Sequence, residues 1–340
     1  MNDFIKRLEK IEAELNLWLP ENLKSVRSNE IFPAMKDSAL CETIFTPGMD
    51  IISRGGKRWR PLLMTLVCET LGGGDNAIPL APLVEFSHNA SLIHDDIEDN
   101  SDERRGKPAI HKIYGVDTAI NSGSFLYFLS LCCIENYKGE NKHWIYKLWA
   151  EYMRKLHLGQ AMDISWHRDT KFIPVIKDYY VMCGLKTGAL ARLAVELGVF
   201  AAGGPIETGL QLSEAAEKLG IGFQILDDVK NLTTGIPGKK RGDDIVEGKK
   251  SLPVIIYLNR YPEKREQIFS FFDRAKTNGS AAPEIEEMIE TLTTAGVLQE
   301  AQEMAQSLIK EARGIFNSPQ YAGAFTSEEG LLNSLINLIS

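Results

Sequence analysis

The segment Asp95-Asp96-Ile97-Glu98-Asp99 places three aspartates where one side of an α-helix would gather them. Asp95 and Asp99 stand at i,i+4, and Asp96 and Asp99 at i,i+3. Like charges at these spacings destabilise a helix, and acidic side chains sit badly at the negative end of its dipole. No lysine or arginine stands within helical reach of them in the sequence. A divalent cation would remove the conflict. Carboxylates without histidine or cysteine select hard ions, and Mg²⁺ is the usual one when phosphate oxygens complete its shell. By itself such a cluster is as often a solvated helix end.

A second cluster changes that balance. Gln224, Asp227, Asp228 and Asn231 recur at i, i+3, i+4 and i+7, again on one helix side. Each acidic cluster is followed by a basic, glycine-containing loop, so the pair reads as two opposed walls around a metal-diphosphate. A third signal is Gly55-Gly56-Lys57-Arg58-Trp59-Arg60-Pro61, in which two glycines precede cations and a proline that opens a helix. Arginine offers phosphate a planar fork and lysine a point charge. The spacing of a Walker loop is absent.

The elements that must carry these residues read as helices. Apolar residues recur at helical spacing nearly throughout the 340 residues. Ile5, Leu8, Ile11 and Leu15 share a face of a first helix. A second runs from Pro61 to the stop at Gly72-Gly73-Gly74. Long helices are expected over Leu83–Asp99, Asp117–Ile134, Trp144–Trp166, Val175–Ala202 and Thr208–Asn231, with four or five shorter ones after them. No convincing strand alternation and no linker appears, so residues 1–340 read as a single all-α domain. The loop Thr233–Gly248 is too charged for a core and is a candidate functional loop.

Composition narrows the function. The formal net charge of −8 lacks the basic footprint of a nucleic-acid binder. Cations occur instead in small groups (Lys57, Arg58 and Arg60; Arg104, Arg105 and Lys107; Lys239, Lys240 and Arg241), which suits small anions. No apolar run approaches the ~20 residues of a membrane span. The charged, periodic start is unlike a signal peptide. Five cysteines without CxxC spacing point to reduced thiols in a cytoplasm.

Taken in order, GGKRWRP, HNASLIHDDIED with SDERRGKPAIH, GQAMD, LKTGAL, GFQILDDVKN and GKKRGDDIVEGKKSLP resemble the trans-prenyl diphosphate synthase family over about Ile52–Pro253. The resemblance implies an isoprenoid synthase-type bundle of long helices around a deep central pocket. It also implies Mg²⁺ as cofactor, a homodimer, and condensation of isopentenyl diphosphate with an allylic diphosphate. On this pattern Asp95, Asp96 and Asp99 hold Mg²⁺ against the allylic diphosphate, with Asp227 opposite and Asp228 and Asn231 supporting. Arg104, Lys186, Lys239 and Lys249 contact substrate diphosphate. Lys57, Arg60, His88 and Arg105 hold isopentenyl diphosphate. Thr187 and Gln224 face the developing allylic cation, Gln160 and Asp163 form a polar pair near the metal wall, and His94 is structural. Asn231 departs from the commoner Asp, and Ser124 stands where many relatives have Asp. A terpene cyclase of the same architecture has no second diphosphate site. A regulatory subunit typically loses an aspartate-rich motif, and the first is intact here.

Product length is expected to depend on the positions just before the first acidic motif. Farnesyl diphosphate synthases often carry aromatics there, whereas Ala90 and Ser91 are small, which implies a product of geranylgeranyl length or longer. The segment Phe125–Phe128 is a candidate lower floor. From the carboxylate cluster we expect Asp95→Ala or Asp96→Ala to lower kcat by orders of magnitude, because a ligand that acts on the departing group is lost. Mg²⁺-dependent incorporation of isopentenyl diphosphate measures this, and near-normal turnover in either variant, or in excess chelator, contradicts it.

Overall fold

The computed structural model describes residues 2–18, 38–169, 172–235, 240–318, 321 and 334–337. The chain order is α1 (Asn2–Asn16), α2 (Ser38–Ser53), α3 (Trp59–Thr70), α4 (Ala81–Glu98), β1 (Glu103–Arg104), β2 (Lys107–Pro108), α5 (Ile110–Tyr114), α6 (Val116–Leu131), α7 (Cys133–Asn136) and α8 (Lys142–Arg168). There follow α9 (Ile176–Cys183), a π-helical turn over Gly184–Gly188, α10 (Ala189–Ala201), α11 (Ile206–Leu232), α12 (Asp243–Glu247), α13 (Leu252–Arg260), α14 (Arg265–Asn278), α15 (Pro283–Thr294) and α16 (Val297–Phe316). Short 3₁₀ turns join some of them. Among the described residues no helix is long and apolar enough to cross a membrane.

The all-α expectation holds, with instructive departures. The expected helix over 175–202 is interrupted by the π turn, which falls on Lys186 and Thr187. The expected helix over 117–134 breaks at Cys132. The loop over 233–248 contains the short helix α12. The one sheet among the described residues is a two-residue-per-strand hairpin, with Glu103 opposite Pro108 and Arg104 opposite Lys107. Strands that short have no alternation to read.

The chain folds as two compact units, each built from separated segments. The first comprises residues 1–150, 192–213 and 317–339; the second comprises 151–191 and 214–316, with Ser340. In the first, α4 packs along α6 and buries Leu83, Val84, Phe86, Ala90 and Ile93. Helix α3 contributes Leu62, Leu63, Met64 and Val67. At its end Gly73 lies so close to the chain that an added Cβ would stand 2.6 Å from the Cα of Ala202. His94 links α4 to α6: Nδ1 lies 2.9 Å from the Ala90 carbonyl, Nε2 3.3 Å from Ser124 Oγ, and the ring stacks on Tyr127. That geometry gives His94 and Ser124 structural work.

Polar burial fixes the first unit as firmly as its apolar core. Arg58 of the glycine-basic segment points inward. Its guanidinium donates to Glu12 at 2.7 Å, to Glu85 at 2.7 Å and to the Ile52 carbonyl at 2.7 Å. Both Arg58 and Glu85 are buried, and Glu85 also accepts from Asn89.

The second unit closes over Ile221, Ile225, Val229 and Leu232 of α11, with Tyr179 and Met182 of α9 and Leu252, Ile255 and Ile256 of α13. Here too one buried cation orders backbone. The Lys250 ammonium donates to the carbonyls of Trp166, Asp169 and Phe172 at 2.7, 2.5 and 2.6 Å, where α8 ends and its carbonyls lack helical partners. Burial pushes the Lys250 amine down to about 8.

Replacing Arg58 with methionine leaves Glu85 a buried charge without its cation. We expect about 3–5 kcal/mol of lost stability, read as a lower denaturant midpoint. A midpoint near wild type contradicts this account of the segment.

Candidate active site

In the first unit the hairpin does the positioning. Its two central residues, Arg105 (φ 54°) and Gly106 (φ 72°), both lie at positive φ, as a type I′ turn requires. Glycine takes this conformation freely and arginine does so at a cost of about 1–2 kcal/mol. Arg54 holds the hairpin from below: it pairs with Asp50 at 3.0 and 2.9 Å and donates to the carbonyls of Arg104 and Pro108 at 3.1 and 2.9 Å. Tyr114 donates to the same Asp50.

The turn sends its two arginines to different partners. The Nε of Arg104 donates to Oδ1 of Asp96 at 2.8 Å, its Nη2 also bonds that oxygen, and Asp95 stands 3.6 Å away. No basic residue stands within helical reach of the aspartates, as expected; Arg104 reaches them through the hairpin instead. Arg105 donates to Oδ1 of Asn89 at 3.0 Å and to the Ile51 carbonyl at 2.8 Å. Burial brings the Arg105 guanidinium down to about 10. Gly56 makes room for it, since a Cβ there would stand 3.1 Å from Nη2.

His88 projects from α4 into this basic neighbourhood. Burial, then Arg60 and Arg105, hold its imidazole well below the ordinary range, so it is neutral at physiological pH. Arg60 is buried with its guanidinium 4.5 Å from the Trp59 ring centre, and Lys57 is exposed. Arg58, Arg60 and Arg105 thus meet with a neutral histidine around the start of α3, and Arg58 is committed to the core.

The three aspartates of α4 differ in burial. Asp96 is 0% exposed, whereas Asp95 and Asp99 are partly exposed. Burial raises the Asp96 carboxyl above its usual range, with Arg104 opposing. Among the described residues no three His, Cys, Asp or Glu side chains form a ready-made ion cage. The residues still suit Mg²⁺. That ion commonly takes one or two carboxylates and fills its shell with water and phosphate oxygens. Oδ2 of Asp96 is a buried hard donor with no hydrogen bond.

In the second unit the π turn gathers the site. Gly159 of α8 lies against it so closely that a Cβ would stand 2.4 Å from the Lys186 nitrogen, and Gly220 of α11 leaves a similar gap of 2.9 Å to Gly188. Such turns are common at functional sites. Lys186 donates to Asp163 at 2.6 Å, and His167 lies 2.9 Å from the other carboxylate oxygen. Burial opposes ionisation of Asp163, but Lys186, His167 and Lys249 outweigh it and hold the carboxyl below the usual range. Gln160 is partly exposed one turn earlier on α8. Lys249 pairs with Glu247 at 2.6 Å.

The second acidic motif divides its residues between surface and interior. Asp227 is exposed and Asp228 is buried. Asp228 accepts from the Tyr179 hydroxyl at 2.7 Å, from the Leu252 N–H at 3.0 Å and from Nε2 of Gln224 at 3.2 Å. Burial, with Asp244 nearby, nonetheless pushes its carboxyl up to about 7. Thr187 donates to Oε1 of Gln224 at 2.9 Å. Asn231 is fully buried. Its carbonyl oxygen accepts from the Asp244 N–H at 3.3 Å and its Nδ2 makes no hydrogen bond, so it anchors the start of α12. Lys239 lies outside the described residues.

Sequence reading missed Glu85, Asn89, Arg54, His167 and Tyr179. Arg54 adjoins the glycine pair and Asn89 adjoins His88, so proximity to a motif was the only signal for them; the others carried none.

The chain matches the polyprenyl synthetase family over residues 41–292. It is 34% identical over 291 residues to a short chain isoprenyl diphosphate synthase of Methanocaldococcus jannaschii, covering 84% of this chain and 81% of the relative. It is 32% identical over 305 residues to a geranylfarnesyl diphosphate synthase of Aeropyrum pernix, covering 86% and 92%. The crystal structure of a geranylgeranyl pyrophosphate synthetase from Pyrococcus horikoshii superposes with a TM-score of 0.78 at 25% identity, covering 98% of this chain and 99% of that one. With its family signature spread over most of its length and these identities sustained over more than four fifths of it, the chain belongs to the polyprenyl synthetase family and is a trans-prenyltransferase.

Proposed function

We propose that the chain condenses isopentenyl diphosphate with an allylic diphosphate to give a trans-prenyl diphosphate of geranylgeranyl length or longer. The observation that carries this reading is the splitting of the hairpin arginines, one bound to the acidic end of α4 and the other among the cations around His88. Two anion sites of different character suit two diphosphates, one engaged through metal and one without it.

In this reading Arg104, Lys186 and Lys249 contact the allylic diphosphate. Asp95, Asp96 and Asp99, with Asp227, would hold Mg²⁺, which supplies Lewis-acid stabilisation of charge on the departing group. Lys57, Arg60, Arg105 and His88 bind isopentenyl diphosphate, His88 as a neutral N–H donor. Lys186, already paired with Asp163, needs little reorganisation to meet the growing negative charge. The allylic C–O bond breaks, the alkene of isopentenyl diphosphate attacks the allylic carbon, and the proton lost as the new double bond forms passes to the released diphosphate. Thr187 and Gln224 face the cation. Val116 and Ile120, one turn apart on α6, and Phe128 further along it are exposed apolar side chains, which we assign to contact with a second copy of the chain. The four cysteines whose side chains are described are free, in keeping with a cytoplasmic setting.

His88→Ala should raise KM for isopentenyl diphosphate by ~10–100-fold, as expected for one hydrogen bond to a charged group, and affect the allylic KM less. His88→Gln keeps a neutral donor and should retain most of the affinity. Because the folded imidazole titrates below its unfolded value of 6.5, the unfolded chain binds more protons beneath that pH. His88 therefore contributes stability that is present above 6.5 and lost as pH falls, and His88→Gln should flatten that part of the melting profile. Equal KM losses for both substrates, or an unchanged profile, contradict this role.

Product length has its own test. Ser91 is partly exposed, whereas Ala90 is fully buried. Ser91→Phe should therefore shift products toward farnesyl diphosphate without loss of folding. Ala90→Phe also overpacks a core position, at about 1–3 kcal/mol. Mass spectrometry of the products decides, and an unchanged distribution in Ser91→Phe defeats the channel reading.

A further inference from the structure

The hydrogen bonds around Asp228 have a direction. Tyr179 Oη and the Leu252 N–H both donate to Oδ2, at 2.7 and 3.0 Å. Gln224 Nε2 donates to Oδ1 at 3.2 Å. With its donor side turned to Asp228, the Gln224 amide can present only its carbonyl to Thr187, and the Thr187 hydroxyl donates to it at 2.9 Å. The order along the chain is set by the residue types. In its ionised form, which three surrounding donors favour, Asp228 accepts at both oxygens, and an amide donates at one end and accepts at the other. Tyr179 and Asp228 are both buried, so water does not readily substitute for either bond. Tyr179 keeps its proton, since burial and Asp228 hold its hydroxyl well above the ordinary range.

We propose that Tyr179 is a positioning residue for the condensation. Its hydroxyl holds Asp228 as an acceptor, Asp228 fixes the Gln224 amide, and Gln224 takes the Thr187 proton, so that Thr187 offers lone pairs rather than a hydrogen to the allylic cation. The inference rests on the proposed function, in which Thr187 faces that cation. A hydroxyl whose proton points at the cation would destabilise it, and one whose proton is committed elsewhere stabilises it. The π turn contributes by holding Thr187 opposite Gln224. Tyr179 sits on α9 two turns before Thr187, while Gln224 and Asp228 are i,i+4 on α11, so the relay joins the two helices at both ends.

Steady-state kinetics of the full chain with Mg²⁺, isopentenyl diphosphate and an allylic diphosphate test it. Tyr179→Phe should lower kcat about 10-fold or more while both KM values stay within about twofold, the signature of an interaction made in the transition state. Combined with Gln224→Ala, it should cost nothing beyond Gln224→Ala alone, because residues acting through one another are not additive. An unchanged kcat in Tyr179→Phe, or additive losses in the double variant, overturns the relay. Should Tyr179→Phe not fold, Asp228→Asn removes the buried charge; with its oxygen kept toward the Leu252 N–H, its amide N–H₂ faces Gln224, so the Gln224 amide turns over and donates to Thr187. Thr187→Val should then lower kcat in the wild-type background but not in the Asp228→Asn background, and equal losses in both overturn the proposal. A wild-type chain that condenses no substrate defeats the proposed function and the relay with it, whereas an active wild type with an unchanged Tyr179→Phe variant overturns the relay alone.

Discussion

The contact on which the first unit's chemistry depends is the buried pair between Arg58 and Glu85. Three cations crowd the start of α3 and the hairpin, and burial of like charges is unfavourable unless something opposes it. Glu85 opposes it from the centre. It accepts from Arg58 directly and from Asn89, whose own carbonyl oxygen receives Arg105. One carboxylate therefore neutralises a structural arginine and, through an amide, orients one that is assigned to substrate. Glu12 extends the pairing to α1, so an element remote from the acidic motifs helps to set the anion site. The positive φ of Arg58 and of Arg105 is strain held by these bonds, as is common where the backbone serves a site.

The second unit solves a similar problem with fewer charges. Lys186 is held by Asp163, which His167 also contacts, and Lys249 by Glu247, so each cation is preorganised before any ligand arrives. Backbone proximity does the rest. Gly159 and Gly220 bring α8 and α11 so close to the π turn that the turn has little freedom to relax into regular helix. The acidic motif then divides its labour: Asp227 stays at the surface, while Asp228 and Asn231 are consumed in building the interior.

Helices and acidic motifs were legible because their information is local. The i,i+3 and i,i+4 spacing of Asp95, Asp96 and Asp99 and the apolar periodicity of α4 and α11 are properties of adjacent turns. The partners of these residues were not legible, because they come from far along the chain. Tyr179 lies 49 residues from Asp228, and Lys250 lies 84 from Trp166. The hairpin escaped for a different reason: two residues per strand are too few for a period of two to show. The consequence was concrete, since the missing hairpin is what brings Arg104 back to Asp96. The π turn left no periodic trace either, because one widened turn does not disturb the apolar pattern on each side of it.

That two-residue turn also constrains how this region can evolve. Side chains along a strand alternate between faces, so the register of a hairpin is a parity. Substitutions at Glu103 or Lys107 change a solvent-facing side chain and leave the parity intact. A residue inserted or deleted between them abolishes the type I′ turn, and unless a bulge absorbs the change the flanking residues exchange faces and Arg104 turns away from Asp96. Gene-length drift is tolerable elsewhere on the surface, but here the reading frame of the fold is fixed at two residues, with glycine in the second.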